Sequence, residues 1–349
     1  MSLIFNNILN SYTKELPFVV YRKPNSEIVS GFFQENNDLF FTKNYTESGF
    51  VFAPFNDKKD AILIPKNQSN FLQEKNVGDC NIEFNDCLLN SEFSKENHIE
   101  LLDKTLDAIY KGDFKKLVIS RKESVELKHF NLLETYQKLL LKYSNALVYV
   151  WFHPRVGLWL GATPETLLNA TGNSFKTMSL AGTQVYEGTE KVTWKSKEIE
   201  EQLLVTEFIK DKLSSISTNL QIGNVETTKA GNLLHLKTKI SGKLNNINSS
   251  IKTLIKALHP TPAVCGLPRE KAKKFIIKNE NYKRTFYTGF LGELNLKDQK
   301  STLYVNLRCM EIIRNSAKIF IGGGITKDSN PEKEWEETVN KSKVMKTVL

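Results

Sequence analysis

Cysteine is scarce in this 349-residue chain: Cys80, Cys87, Cys265 and Cys309 are the only four. That number excludes a disulfide-built scaffold, and no pair has the spacing of a zinc ribbon or a redox dithiol. The thiols are expected to pack as free side chains in a reducing compartment. Long apolar runs are missing as well. The longest, Ala146 to Phe152, falls far short of the roughly 20 residues of a membrane-spanning helix. The opening Met1 to Asn7 lacks the basic-then-apolar order of a secretory signal. The expectation is a cytoplasmic protein with no membrane partner. Arginine is rare too, at seven of the 48 basic residues, and the lysines form no dense block. Helix-turn-helix, finger and RNA-recognition signals are absent, which argues against nucleic acid despite a formal net charge of +9. A modest positive field suits a small anionic substrate instead.

What is present is ordinary globular composition, 40% hydrophobic and 25% charged. Residues 1–95 carry short apolar runs, Phe18 to Tyr21 and Ala61 to Ile64, between Gly, Pro and Asn punctuation. They read as the N-terminal part of a sheet and hold no chemistry-bearing cluster. From residue 96 the pattern strengthens. A helix is expected over His98–Tyr110, a buried strand over Lys116–Arg121 and a helix over Leu132–Tyr143. A hairpin follows, Leu147–Phe152 with Val156–Leu160, joined through His153-Pro154-Arg155. Glu198–Leu213 reads as an amphipathic helix with Leu203, Leu204, Phe208 and Ile209 on its apolar side. Further strands are expected over Thr285–Asn295, Ser301–Cys309 and Lys318–Ile321, the last ending in Gly322-Gly323-Gly324. A closing helix spans Pro331–Lys346, capped by Asn330 or Ser329. Hairpin-joined strands interrupted by helices predict an α+β fold with large antiparallel sheets. No linker interrupts the chain after residue 95, so one continuous structural domain is expected, with the candidate chemistry-bearing residues in 96–349.

Two helices carry a Glu-x-x-Glu step, Glu198 with Glu201 and Glu334 with Glu337. Residues three apart share a helical face, so each pair can aim two carboxylates at one point. Taken alone, either pair reads first as a wetted acidic face. If both faces met, four carboxylates would need a cation, and hard oxygen ligands select Mg²⁺. The triple glycine would let backbone approach a ligand closely, although a simple turn is the default reading.

Several segments taken together resemble one family, the Mg²⁺-dependent chorismate-utilising enzymes. They are Lys116-Leu-Val-Ile-Ser-Arg121, Gly161-Ala-Thr-Pro-Glu-Thr-Leu-Leu168, Leu180-Ala-Gly-Thr183 and Glu198-Ile-Glu-Glu201. His235-Leu-Lys-Thr, His259-Pro-Thr-Pro-Ala-Val-Cys-Gly-Leu-Pro268 and Tyr287-Thr-Gly follow, then Asn306-Leu-Arg308, Gly322-Gly-Gly-Ile325 and Glu334-Trp-Glu-Glu337 with Lys341. Their order is the family's order. The His259 segment resembles the isochorismate synthase version and lacks the Gly-Ala-Pro-Lys ending of the amine-transferring members. Ala263 also fits isochorismate synthases, whereas Tyr287 matches salicylate synthases, and Gln202 departs from the usual His or Asn.

The resemblance implies a sandwich of antiparallel sheets with flanking helices, and conversion of chorismate to isochorismate by water addition at C2 and loss of the C4 hydroxyl. The alternatives are pyruvate elimination to salicylate, or an anthranilate or aminodeoxychorismate synthase component. It also implies Lys116 as general base, Glu165 as general acid, and Glu198, Glu201, Glu334 and Glu337 as Mg²⁺ ligands. Gly182, Thr183, Ala263, Tyr287, Arg308, Gly324 and Lys341 are expected around the substrate, and the chain is expected to work as a monomer without a glutaminase subunit. The chemistry is demanding. Lys116 must be neutral to take a proton, against a reference pKa of ~10.4, and Glu165 must stay protonated, against ~4.3. Burial favours both. His235 and His259 read as structural.

Overall fold

The computed structural model describes residues 2–75, 93–231, 233–245 and 250–349. Its strands form two antiparallel sheets of nine strands each. The first runs, edge to edge, Gly266–Leu267, Lys116–Glu126, Ser316–Ile325, Cys309–Ile313, Gly157–Thr163, Leu147–His153, Phe18–Arg22, Ile28–Gln34 and Ser69–Lys75. The second runs Ser217–Ala230, Leu233–Leu244, Ser174–Val185, Thr166–Thr171, Ser301–Val305, Phe290–Leu294, Gly49–Ala53, Ala61–Pro65 and Phe40–Thr42. Strands from residues 1–95 therefore close one end of both sheets. The fold is α+β, as expected.

Alternation decides which side chains meet between the sheets. Val19, Tyr149, Trp151 and Trp159 of the first sheet pack on Phe50, Phe52, Leu291 and Tyr304 of the second. The outer face of the first sheet is covered by the helices Leu3–Thr13 and Leu132–Lys142, and that of the second by Ser196–Ser214 and Ile251–Leu258. No helix among the described residues is long and apolar enough to cross a membrane. Cys265 and Cys309 are buried free thiols, as expected; Cys80 and Cys87 lie outside the described residues.

Three sequence expectations change. The helix Ser196–Ser214 buries Val205, Ile209 and Leu213, spaced by four, while Leu203 is 57% exposed. The face is rotated because Gln202 is buried and its Nε2 donates to Ser179 Oγ at 2.9 Å and Thr238 Oγ1 at 3.1 Å, fixing the helix to the sheet. Each buried aliphatic side chain on that face contributes about 1.5–3 kcal/mol. Second, the triple glycine lies inside the strand Ser316–Ile325 rather than beyond it. Gly322, Gly323 and Gly324 pair with Ser120, Ile119 and Val118. The ladder supplies the regularity that glycine's own propensity lacks.

Third, the strands expected over Thr285–Asn295 and Ser301–Cys309 are shorter. Arg284–Gly289 forms turns, with the Tyr287 N–H donating to Arg284 O and the Gly289 N–H to Phe286 O; the strand begins at Phe290. Ser301–Val305 belongs to the second sheet and Cys309–Ile313 to the first, so the chain crosses between sheets at Asn306-Leu307-Arg308. It crosses again at Pro164-Glu165, between Gly157–Thr163 and Thr166–Thr171. The two crossings are tied together: Thr163 Oγ1 donates to Val305 O at 2.5 Å, and the Val305 N–H donates to Glu165 O at 2.9 Å. A cleft opens at this corner.

Candidate active site

The cleft is lined by Glu165 and Arg308 from the two crossings, and by Gly182 and Thr183 from a bulge in the strand Ser174–Val185. Glu201, Ala263, Tyr287, Gly322–Gly324, Lys341 and His235 complete its walls. Every substrate-contact candidate from the sequence is thus brought together. Lys116 lies just beneath the lining, fully buried at the start of its strand, with its Nζ 2.9 Å from Glu201 Oε1. The geometry of that ion pair is not a hydrogen bond, so the Lys116 ammonium has no hydrogen-bond acceptor. Lys115 alternates to the exposed face.

Glu165 is 4% exposed. Burial pushes its carboxyl up to about 8, a shift only partly opposed by the positive charges of Lys116 and Arg308. Its proton is therefore held at neutral pH. Arg308, at φ +47°, is half-buried; burial lowers its pKa, and Tyr287 and Glu337 oppose that. One Arg308 amino nitrogen lies 3.3 Å from His235 Nε2, and His235 Nδ1 lies 2.9 Å from Gly182 O. The ring fits as the neutral tautomer, donating from Nδ1 and accepting at Nε2. Burial lowers the His235 pKa to about 3, with Arg308 and Lys341 adding to the effect. His235, read as structural from sequence, bridges the Gly182 bulge and the arginine. His259 does have a packing role, edge-on to Phe290 with Nε2 3.2 Å from Pro54 O.

The four glutamates are only partly gathered. Glu201 comes from the helix Ser196–Ser214, and Glu334 and Glu337 from the helix Pro331–Lys346; all three approach the glycine strand. A Cβ on Gly323 would stand 3.6 Å from Glu334 Oε2 and 3.8 Å from Glu337 Oε1, and one on Gly324 would collide with Glu201 Oε1. Glu198 stands beside Gly182, and its Oε2 accepts the Lys195 N–H at 3.2 Å, so it caps its own helix. Among the described residues, no three His, Cys, Asp or Glu side chains are clustered as a ready metal cage. Three of the four are paired with lysines instead. Lys116 holds Glu201, Lys197 holds Glu334, and Lys341 holds Glu337 while donating to Gly322 O at 3.1 Å. Burial and the charge of Glu337 raise the Glu334 pKa. Burial also acts to raise that of Glu337, but Lys341 and Lys197 outweigh it and the net direction is down. The donor set nevertheless suits a hard divalent cation, because Glu334 Oε2 is buried without a hydrogen-bond partner beside the space left by Gly323.

Sequence reasoning missed two further residues. Lys197 is one lysine among many, and nothing local marks it. Arg284 forms a buried ion pair with Glu280 and donates to Val118 O, Val264 O and Thr288 Oγ1 at 2.8, 2.9 and 3.2 Å. It thereby holds three walls of the cleft. Their i,i+4 spacing gave no signal because Glu280 lies past the end of the helix Arg269–Asn279.

The sequence profile described as "Chorismate binding enzyme" matches residues 47–349. The chain belongs to that family. Among curated members of the chorismate-binding enzymes it resembles isochorismate synthase MenF of Escherichia coli (strain K12), 33% identical over 199 residues, covering 55% of this chain and 45% of that protein. MenF of Haemophilus influenzae is 28% identical over 250 residues, covering 69% and 57%. The chain spans about half the length of the curated relatives it matches. The fold is shared with a Bacillus anthracis protein assigned as a 2,3-dihydroxybenzoate-specific isochorismate synthase, DhbC (TM-score 0.82, 23% identity, 99% of both chains). It is shared also with the E. coli MenF structure (TM-score 0.79, 20% identity, 95% of this chain and 88% of that one).

Within this family fold, Gly324→Ala is expected to disable the site without unfolding the chain. The added methyl collides with Glu201 Oε1 and stands 3.1 Å from Lys116 Cε. The carboxylate is the free end of a long side chain, so it moves and its pairing with Lys116 breaks. Turnover should fall by about tenfold or more, with a melting temperature within a few degrees of the parent.

Proposed function

We propose that this chain is an isochorismate synthase that moves the ring hydroxyl of chorismate from C4 to C2. The observation that carries this reading is a proton-bearing carboxyl, Glu165, sharing one cleft with an arginine, with the buried amine of Lys116 just beneath its lining. Water adds at C2, the double bond shifts, and hydroxide leaves from C4. Water is a poor nucleophile and hydroxide a poor leaving group, so the step needs a base, an acid and fixed charge. Lys116, in its neutral amine form and so released from its ion pair with Glu201, takes the proton of the attacking water. Glu165 donates its proton to the departing C4 oxygen, for which its raised pKa fits it. Arg308, oriented by His235, grips the carboxylate of the enolpyruvyl arm as a planar two-point donor. The Gly182 and Thr183 bulge and Lys341 line the same cleft and offer further donors.

Glu201, Glu334 and Glu337, with Glu198 released from its cap, are the residues that would hold Mg²⁺, which when bound supplies positive charge for the substrate's ring carboxylate. The acidic floor and the dianionic substrate are then compatible. No glutaminase subunit is needed on this reading, because chorismate and water are the only reactants and no ammonia donor is required.

Turnover in heavy-oxygen water tests the step. The C2 hydroxyl of recovered isochorismate is expected to carry the isotope in full at first turnover, read by mass spectrometry; product without the isotope would exclude water as the nucleophile. Tyr287, buried in the cleft wall beside Gly322, favours a second reading in which part of the product loses pyruvate. Salicylate in the same chromatogram would support it.

A further inference from the structure

Each carboxylate approaching the glycine strand is matched by an ammonium group, and Lys197 is the one of the three lysines with no part in the proposed chemistry. It stands in the first turn of the helix Ser196–Ser214, next to Glu198, and reaches across to Glu334 on the helix Pro331–Lys346. Its side chain is 21% exposed, and its charge also acts on Glu337 and Glu201. Glu334 is 2% exposed. Its Oε1 accepts from Lys197, and its Oε2 has no hydrogen-bond partner and faces the space beside Gly323, while the nearby Ser329 side chain also acts to lower the carboxyl's pKa. A buried carboxylate with only one oxygen satisfied, and that by a partly exposed amine, is held for exchange rather than sealed. A divalent cation drawing on Glu334 and Glu337 would sit within a few ångströms of the Lys197 ammonium, and like charges that close in a poorly solvated site repel strongly.

We propose that Lys197 is a built-in counter-cation: it neutralises Glu334 while the divalent cation is away and must be displaced for that cation to bind, so it weakens the site's affinity for Mg²⁺. The inference rests on the reading of the glutamates as Mg²⁺ ligands. Three ammonium groups balance three carboxylates in the metal-free state, which spares the fold a set of buried, uncompensated charges. The same balance means that Mg²⁺ enters by replacing a cation already in place, and not by filling an open negative cage. A site built this way takes up its metal reversibly and stays folded without it.

The test is calorimetric titration of MgCl₂ into the metal-free chain, without substrate, for the parent, Lys197→Met and Lys197→Gln. Both variants are expected to bind Mg²⁺ about tenfold or more tightly than the parent. They should also melt earlier than the parent when metal-free, and recover most of that loss with Mg²⁺. If Lys197→Met does not fold, Lys197→Gln, which keeps a donor to Glu334, carries the same comparison. Equal or weaker affinity in the variants, with binding to the parent retained, overturns the counter-cation role and leaves the metal ligands standing. Absence of binding in the parent and in both variants overturns the metal reading itself, and the inference with it.

Discussion

Lys116→Met is expected to lower kcat by about 10²–10⁴-fold, the usual contribution of a positioned general base. Methionine fills much of the lysine's volume and carries no charge, so the strand Lys116–Glu126 keeps its core contacts. The variant loses only the amine that faces Glu201 at 2.9 Å. Because Lys116 lies beneath the cleft lining rather than among the groups that grip the carboxylates, KM should change far less than kcat. A steady-state comparison reads the split directly. Turnover within a few-fold of the parent would remove Lys116 from the chemistry, and a change confined to KM would recast it as a binding residue.

Glu165→Gln is expected to cost a similar factor and to change two pH profiles. Glu165 carries its proton up to about pH 8 in the folded chain, so the parent's kcat/KM should fall as pH rises through that value. The variant should be slow and flat over the same range. The stability profile follows from the same shift. The native state binds this proton more tightly than the unfolded chain, whose carboxyl titrates near 4.5. The stabilisation from it is complete below about pH 4.5 and is lost as pH rises through about 8. Glutamine keeps the neutral amide at every pH. The melting temperature of Glu165→Gln relative to the parent should therefore climb from pH 5 to pH 9, as scanning calorimetry would show. A constant difference across that range would mean that Glu165 is ionised at neutral pH and cannot be the acid.

The elements that hold the site were legible where pattern and chemistry coincide. Lys116 heads an apolar run that could only be a buried strand, and Pro331 with Asn330 marks the start of the helix that carries Glu334 and Glu337; Asn330 Oδ1 accepts the Lys333 N–H there. What stayed hidden depends on contacts remote in sequence. Arg308 was legible as a cleft candidate from its motif, but not as the residue at a crossing between sheets, because a strand that ends at Val305 and resumes at Cys309 looks continuous in hydropathy. Gly322–Gly324 looked like a strand's end because glycine has little strand propensity; pairing with Val118–Ser120 overrides it. The acidic helix faces were visible as faces, but their lysine partners were not. Lys197 and Glu334 are 137 positions apart, and only the fold brings them together.

The most direct measurement is product chromatography after incubating the purified chain with chorismate at neutral pH, with and without Mg²⁺. Isochorismate appearing only when the metal is supplied, and formed at least about a hundredfold more slowly by both Lys116→Met and Glu165→Gln, is the result expected here. Chorismate recovered unchanged in the presence of Mg²⁺ would contradict the account.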